Sequence, residues 1–153
     1  MERLEEDTPI YVHPKDPFKR IDCLHSQRPI QISLAGHLIA SSPTSTHLYE
    51  TGLPCRYYLP LTSIHDPSLL RRSPTRTQCP YKGEAEYYSV EIDGRTHEDV
   101  VWFYTRPTLE CGSIAGLVCF YNEKVDVVLD GEELERPETH FGKGGPNSKP
   151  SIL

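Results

Sequence analysis

Fourteen prolines and ten glycines are spread along these 153 residues, and they restrict the chain to short extended pieces joined by turns. Proline fixes φ and removes a backbone donor, while glycine opens conformations closed to other residues. Between the breaks the apolar residues follow strand spacing. Ile30, Ile32 and Leu34 alternate with Gln31 and Ser33, Ala35-Gly36 turns the chain, and His37 to Ala40 returns, which predicts a hairpin. Thr46 to Glu50 and Cys55 to Leu59 read as two further strands around the turn Thr51 to Pro54. Leu61 to Leu70 reads as a helical turn or two, with Thr62 and Ser63 able to cap it. Asp93-Gly94 is a hairpin signal between Tyr87 to Ile92 and Val100 to Thr105. The second of these is apolar on both faces and belongs in the middle of a sheet. Gly116 to Tyr121 reads as another buried strand, and Val125 to Leu129 follows, closed by Asp130-Gly131. Seven or eight short strands without an internal repeat predict a mainly β, compact antiparallel domain. A closed or partly open barrel around one ligand-sized interior is the simplest way to hide its edges.

The length fits one domain. Residues 1–9 read as a disordered leader, 10–28 as an irregular arm packed on the core, 29–133 as the β domain and 134–153 as a C-terminal extension, partly disordered. A formal charge of −6 argues against nucleic acid, which needs clustered Lys and Arg to displace counterions. The one basic run, Arg71 to Arg76, reads as a solvated loop. Five cysteines, Cys23, Cys55, Cys79, Cys111 and Cys119, are odd in number and contain no Cys-x-x-Cys pair. They form neither a disulfide framework nor a zinc site. The acidic N-terminus does not read as a signal peptide, and no run is long enough to span a bilayer. A reducing, cytoplasmic setting is therefore expected, with no membrane partner.

The richest chemistry lies between Thr77 and Val90, where Cys79, Lys82, Glu84, Glu86, Tyr81, Tyr87 and Tyr88 stand beside strand residues. Pro80 and Gly83 bracket a bend that carries Cys79 and Lys82. Period-two alternation puts Ala85, Tyr87 and Ser89 on one face and Glu84, Glu86, Tyr88 and Val90 on the other. Cys79 is a candidate nucleophile if a cation such as Lys82 lowers its pKa, and otherwise an inert buried thiol. Lys82 reads as an anion clamp, a base, or a partner of Glu84, Glu86 or Glu50. Arg56 can grip a carboxylate bidentately, or pair with Glu50. Tyr58, Tyr87, Tyr88, Trp102, Tyr104 and Tyr121 form either an aromatic box or plain core. The seven histidines show no ligand spacing.

Thr77-x-Cys79-Pro80-Tyr81-Lys82-Gly83-x-Ala85-x-Tyr87-Tyr88-Ser89-Val90, with Trp102-x-Tyr104-x-x-Pro107, Ile114-Ala-Gly116-x-Val118-x-Phe120-Tyr121 and Asp130-Gly131, resembles the pattern of the domain of unknown function 427 family. Tyr49-Glu50-Thr-Gly-Leu-Pro54 and Arg56-Tyr57-Tyr58 extend the likeness, and Val12 to Pro17 resembles its longer, arm-bearing members. The resemblance covers roughly residues 10 to 141 and implies a β-tent, two antiparallel sheets leaning together over a pocket. Some β-tent relatives hold zinc through paired Cys-x-x-Cys motifs, which this chain lacks. The family's nucleotidyltransferase label finds no glycine-rich phosphate loop or close acidic pair here.

The expected function is a small-molecule-binding β domain. Its first form is a cofactor-free, metal-free enzyme doing acid-base chemistry, such as isomerisation, cyclisation or decarboxylation, on a small organic substrate. Cys79, Lys82 and Tyr87 would be catalytic, and Glu50, Arg56, Tyr58, Trp102, Tyr104 and Tyr121 would bind substrate. The alternative is a non-catalytic ligand-binding module or a scaffold.

Overall fold

A computed structural model describes the backbone of residues 2–5, 8–13 and 16–139, and side chains over residues 20–139. Residues 140–153 of the expected C-terminal extension, and the side chains of the leader, lie outside this part. Thirteen strands are described: β1 (Glu2–Glu5), β2 (Thr8–His13), β3 (Asp16–Ser26), β4 (Ile30–Leu34), β5 (His37–Ser42), β6 (Ser45–Glu50), β7 (Arg56–Leu59), β8 (Leu70–Cys79), β9 (Gly83–Ile92), β10 (Arg95–Phe103), β11 (Val118–Phe120), β12 (Asp126–Leu129) and β13 (Glu132–Glu133). They form two antiparallel sheets that do not close into a barrel. The large sheet has the order β1-β2-β3-β6-β7-β11-β10-β9-β8, and the small one β13-β12-β4-β5. Helical structure among the described residues is limited to 3₁₀ turns at Leu61–Ser63, Pro67–Leu69 and Leu109–Ile114. None is long and apolar enough to cross a membrane.

The hairpins form where the turn residues demand them. Asp93 (φ 51°) and Gly94 (φ 77°) both adopt positive φ, as the tight turns that match strand twist require, and Asp130-Gly131 does the same for β12 and β13. The 3₁₀ turn at Pro67–Leu69 is capped by Asp66, which accepts from the Ser68 amide at 3.1 Å. Thr62 and Ser63, the expected caps, do not serve it.

Two expected loops are strands. Residues 17–26, read as an irregular arm, belong to β3, which pairs with β6 from Ile21↔Glu50 to Ser26↔Ser45. The basic run at Arg71 to Arg76, read as a solvated loop, belongs to β8. Pro74 hid it, because proline is confined to edge strands and bulges. β8 is the edge of its sheet, and its register with β9 shifts between Arg72 and Arg76. Arg72 and Arg76 meet Glu86 at 3.2 and 3.3 Å. Such exposed pairs add little stability.

The centre of the large sheet, at β11 and the second half of β10, is buried on both faces, and alternation sorts its residues. One face carries Leu59, Val90, Ile92, Val101, Phe103, Val118 and Phe120, packed against Ile30, Ile32, Leu34, Val127 and Leu129 of the small sheet. At about 1.5–3 kcal/mol per fully buried large apolar side chain, this inter-sheet layer is the main source of stability. The other face carries Leu48, Tyr58, Ala85, Tyr87, Trp102 and Cys119, covered by Tyr104, Cys111, Ile114 and Tyr121. The expected pocket between two leaning sheets is therefore corrected: that space is filled by apolar side chains, and the nine expected site residues lie away from it, Tyr58, Tyr87, Trp102, Tyr104 and Tyr121 on the far side of the large sheet.

The far face is curled. Lys82, at the β8-β9 tip, makes a direct ion pair with Glu50 at the end of β6, although three strands separate β6 from β9. In a flat sheet four strand steps would hold them about 19 Å apart. The segment 104–117 lies over the curl, tied down by Thr108 N–H to the Lys82 carbonyl at 3.0 Å and Gly116 N–H to the Tyr104 carbonyl at 2.9 Å. Gly83 makes this contact possible: its φ is +110°, and a Cβ there would lie 3.1 Å from the Arg106 carbonyl oxygen. Gly83→Ala is expected to lower stability by about 1–3 kcal/mol through backbone strain and that clash, read as a shift in urea midpoint.

Candidate functional site

All nine residues singled out from the sequence are buried. Glu50, Arg56, Tyr58, Cys79, Lys82, Tyr87, Trp102, Tyr104 and Tyr121 are each 6% exposed or less. Strand alternation explains the convergence: Tyr58, Tyr87 and Trp102 project from β7, β9 and β10 onto one face of one sheet. Tyr88 does not join them. It faces the inter-sheet layer and stacks on Phe103, with ring centroids 4.8 Å apart.

Two buried ion pairs frame the aromatic rings. The first is Lys82 Nζ to Glu50 Oε1, with side chains 3% and 1% exposed. Of the partners considered from sequence, Glu50 is the one observed; Glu84 bonds Gln78, and Glu86 bonds Thr105, Arg72 and Arg76. The second joins Arg56 to Glu123, not to Glu50. The guanidinium donates to Glu123 Oε1 at 2.5 Å and Oε2 at 3.0 Å, and to Asn122 Oδ1 at 2.5 Å. Its planar fork suits such bidentate contact. It also lies 5.2 Å from the Trp102 ring centroid and 5.9 Å from that of Tyr121. Burial works to raise the Glu123 pKa, but the hydrogen bonds and charge of Arg56 outweigh it and hold the carboxyl below its ordinary value.

The phenols are held protonated. Burial pushes Tyr87 up to about 12 and raises Tyr58, Tyr104 and Tyr121 further. Each is thus a hydrogen-bond donor at neutral pH, not a phenolate base. Trp102 Nε1 donates to the Tyr58 hydroxyl at 2.9 Å, and the hydroxyls of Thr77 and Tyr87 stand 2.8 Å apart. The hydroxyls of Tyr104 and Tyr121 are buried and meet no hydrogen-bond partner in the described structure. That of Tyr121 lies beside Tyr87, close enough for the two to influence each other's protonation but outside hydrogen-bond geometry.

Cys79 and Lys82 flank a turn in which the Lys82 amide donates to the Cys79 carbonyl at 3.3 Å. Cys79 lies near Tyr87 and Tyr104. The Lys82 ammonium acts electrostatically on three other thiols, Cys23, Cys111 and Cys119. Glu123 and Asn122 fall between the expected strands Gly116 to Tyr121 and Val125 to Leu129 and were not singled out. The acceptors following Tyr121 were the available signal, since a buried arginine needs them.

Two surface clefts have other linings. One of about 410 Å³ is lined by Leu34, Arg95, His97, Glu98, Val100 and Lys124, and one of about 340 Å³ by Glu84, Glu86, Thr105 and Arg106. No group of three or more His, Cys, Asp or Glu among the described residues is placed to hold a metal ion.

No curated protein matches the chain. A family model described as Domain of unknown function (DUF427) matches residues 22–131, which takes in β4 through the turn after β12, both ion pairs and every aromatic residue of the curled face. The match spans well over half of the 153 residues, and the protein belongs to the DUF427 family.

Proposed function

We propose that the curled aromatic face binds a small polar organic molecule and carries out acid-base chemistry on it with side chains alone. One observation carries this reading: Tyr104 keeps a buried hydroxyl that meets no hydrogen-bond partner among the described residues. A buried hydroxyl without a hydrogen bond costs about 1–3 kcal/mol, and phenylalanine would fill the same space without that cost. A hydroxyl kept at such a cost fits a site whose remaining partner is a ligand.

Roles follow from the surroundings. Lys82 stabilises negative charge developing on the substrate, and its partner Glu50 is the nearby proton acceptor. Tyr87, fixed by Thr77, donates a proton, with Cys79 beside it. Tyr58, Trp102, Tyr104 and Tyr121 supply the aromatic walls. Arg56, its fork occupied by Glu123 and Asn122, braces the Trp102 and Tyr121 rings from behind. A non-catalytic binding module is favoured by a different observation: four phenols are held protonated, which suits fixed hydrogen bonding as well as proton transfer.

The test compares wild type with Tyr104→Phe. Small molecules released on denaturing the purified protein are identified by mass spectrometry, and each is added back while the melting temperature is followed. Tyr104→Phe should match or exceed the stability of the unliganded wild type and bind about ten-fold more weakly, the worth of one hydrogen bond. A variant that loses stability and binds unchanged would make the hydroxyl structural and sink the reading. Turnover of the bound molecule, followed by NMR, separates enzyme from binding module.

A further inference from the structure

The cleft of about 410 Å³ lies outside the roles given above. Its apolar lining, Leu34 and Val100, belongs to the inter-sheet layer and not to the aromatic face. Around it stand Arg95 and His97 from β10 and Lys124 from the turn after β11, with Glu98 as the acid among them. A bulge gathers these groups. The register of β10 with β9 shifts between His97 and Val101, and Asp99 inside the shift has φ 51°. Its amide donates to Ser89 Oγ at 3.0 Å, and its carboxylate accepts from Thr75 Oγ1 at 2.7 Å, which pins the bulge to β9 and β8. Period-two alternation would send His97 and Val100 to opposite faces; the bulge lets both line one cleft, a use of bulges that recurs where side chains are re-aimed for function. We propose that this cleft binds a small organic anion, a phosphate monoester or a dicarboxylate, between Arg95 and Lys124.

The charges favour that occupant. The chain has 22 Asp and Glu against 16 Lys and Arg, so a cation has acids in excess to pair with, and Arg71 and Arg136 each meet a carboxylate at 3.1 Å. Arg95 and Lys124 meet none among the described residues. The acids nearest Lys124 are engaged elsewhere: the Glu123 oxygens accept from Arg56 and Thr139, and Asp99 accepts from Thr75. The ammonium instead lies 5.2 Å from the Tyr121 ring centroid. Burial lowers its pKa against the opposing pull of Glu123 and Asp99, as expected of a cation that has lost water without gaining a counter-ion. An anion in the cleft supplies that counter-ion. His97 is held below its ordinary value by burial and then by Arg95, so at neutral pH it offers a hydrogen-bonding ring and not a third charge.

Size sets the rest of the ligand. A cleft of this volume is within the range of about 300–1,000 Å³ that takes small organic molecules, so the charged end can sit between the cations while a carbon skeleton meets Leu34 and Val100. Two cations beside one carboxylate are too few to hold a polyanion such as nucleic acid. The site goes beyond the reading of the aromatic face and does not depend on a ligand there.

Inorganic phosphate and succinate are the probes, titrated in separate arms into the full ¹⁵N-labelled chain at pH 7, with ionic strength held constant by sodium chloride. Saturable shifts of the Thr96 to Val100 and Lys124 amides are expected in at least one arm, and the probe that saturates at lower concentration identifies the headgroup. Arg95→Met and Lys124→Met should each weaken binding about ten-fold, the worth of one hydrogen bond to a charged group. Arg95 is exposed and unpaired among the described residues, so its variant keeps the fold and the test stands even where Lys124→Met does not. Shifts that fail to saturate in both arms, that saturate at another surface, or that Arg95→Met leaves unchanged overturn the proposal.

Discussion

Lys82→Met should lower folding stability by about 3–5 kcal/mol, because it removes the ammonium that faces the Glu50 carboxylate in a dry interior. Both side chains are almost wholly enclosed, so water cannot take over the role of the ammonium. Adding Glu50→Gln removes the remaining charge, and the double variant should recover most of the loss. Urea unfolding of the two variants and wild type gives both numbers. A single-variant loss below about 1 kcal/mol would mean that the pair behaves as an exposed one. The double variant also separates fold from chemistry: with stability restored, turnover or ligand binding should still be absent if Lys82 touches the substrate.

Arg56→Met is expected to be as costly, about 3–5 kcal/mol at neutral pH, and to reverse the pH dependence near pH 4. In the wild type, Arg56 holds the Glu123 carboxyl below its ordinary value of 4.5. A depressed pKa contributes stability that is present above the unfolded value and lost as pH falls through the folded value. Without Arg56, burial dominates and the pKa moves above 4.5, so protonation relieves the variant as pH falls. The stability gap between the two proteins should therefore narrow from pH 7 to pH 4, measured by urea unfolding at each pH. A gap that stays constant would show that Glu123 does not carry the charge Arg56 compensates. Loss of the guanidinium from the Trp102 and Tyr121 rings adds a term that pH does not alter.

Much of the fold was legible because strand alternation and turn chemistry are local signals. Asp93-Gly94 predicted a hairpin where one occurs, Asp130-Gly131 marked the end of β12, and the doubly apolar Val100 to Thr105 placed β10 between two neighbours. β8 was hidden because Pro74 and three arginines are what an edge strand carries to prevent further pairing, and these residues also compose loops. The candidate residues were found by type and spacing, but the face on which they gather was not. Which side of a sheet receives a second sheet depends on long-range packing, here of β4, β5 and β12 against the β7 to β10 strands. The pairing of Lys82 with Glu50 likewise follows from sheet curl, and that of Arg56 with Glu123 from a chain reversal after β11.

One sheet with an oily side and a side of phenols and buried charges has an evolutionary consequence. Because anchoring to the small sheet rests on one set of alternate positions, the intervening set can change its phenols and charges in opposed pairs while the anchor holds. New ligand preferences in descendants of such a protein can then arise at Tyr58, Tyr87, Trp102 and their neighbours without a matching redesign of the oily side.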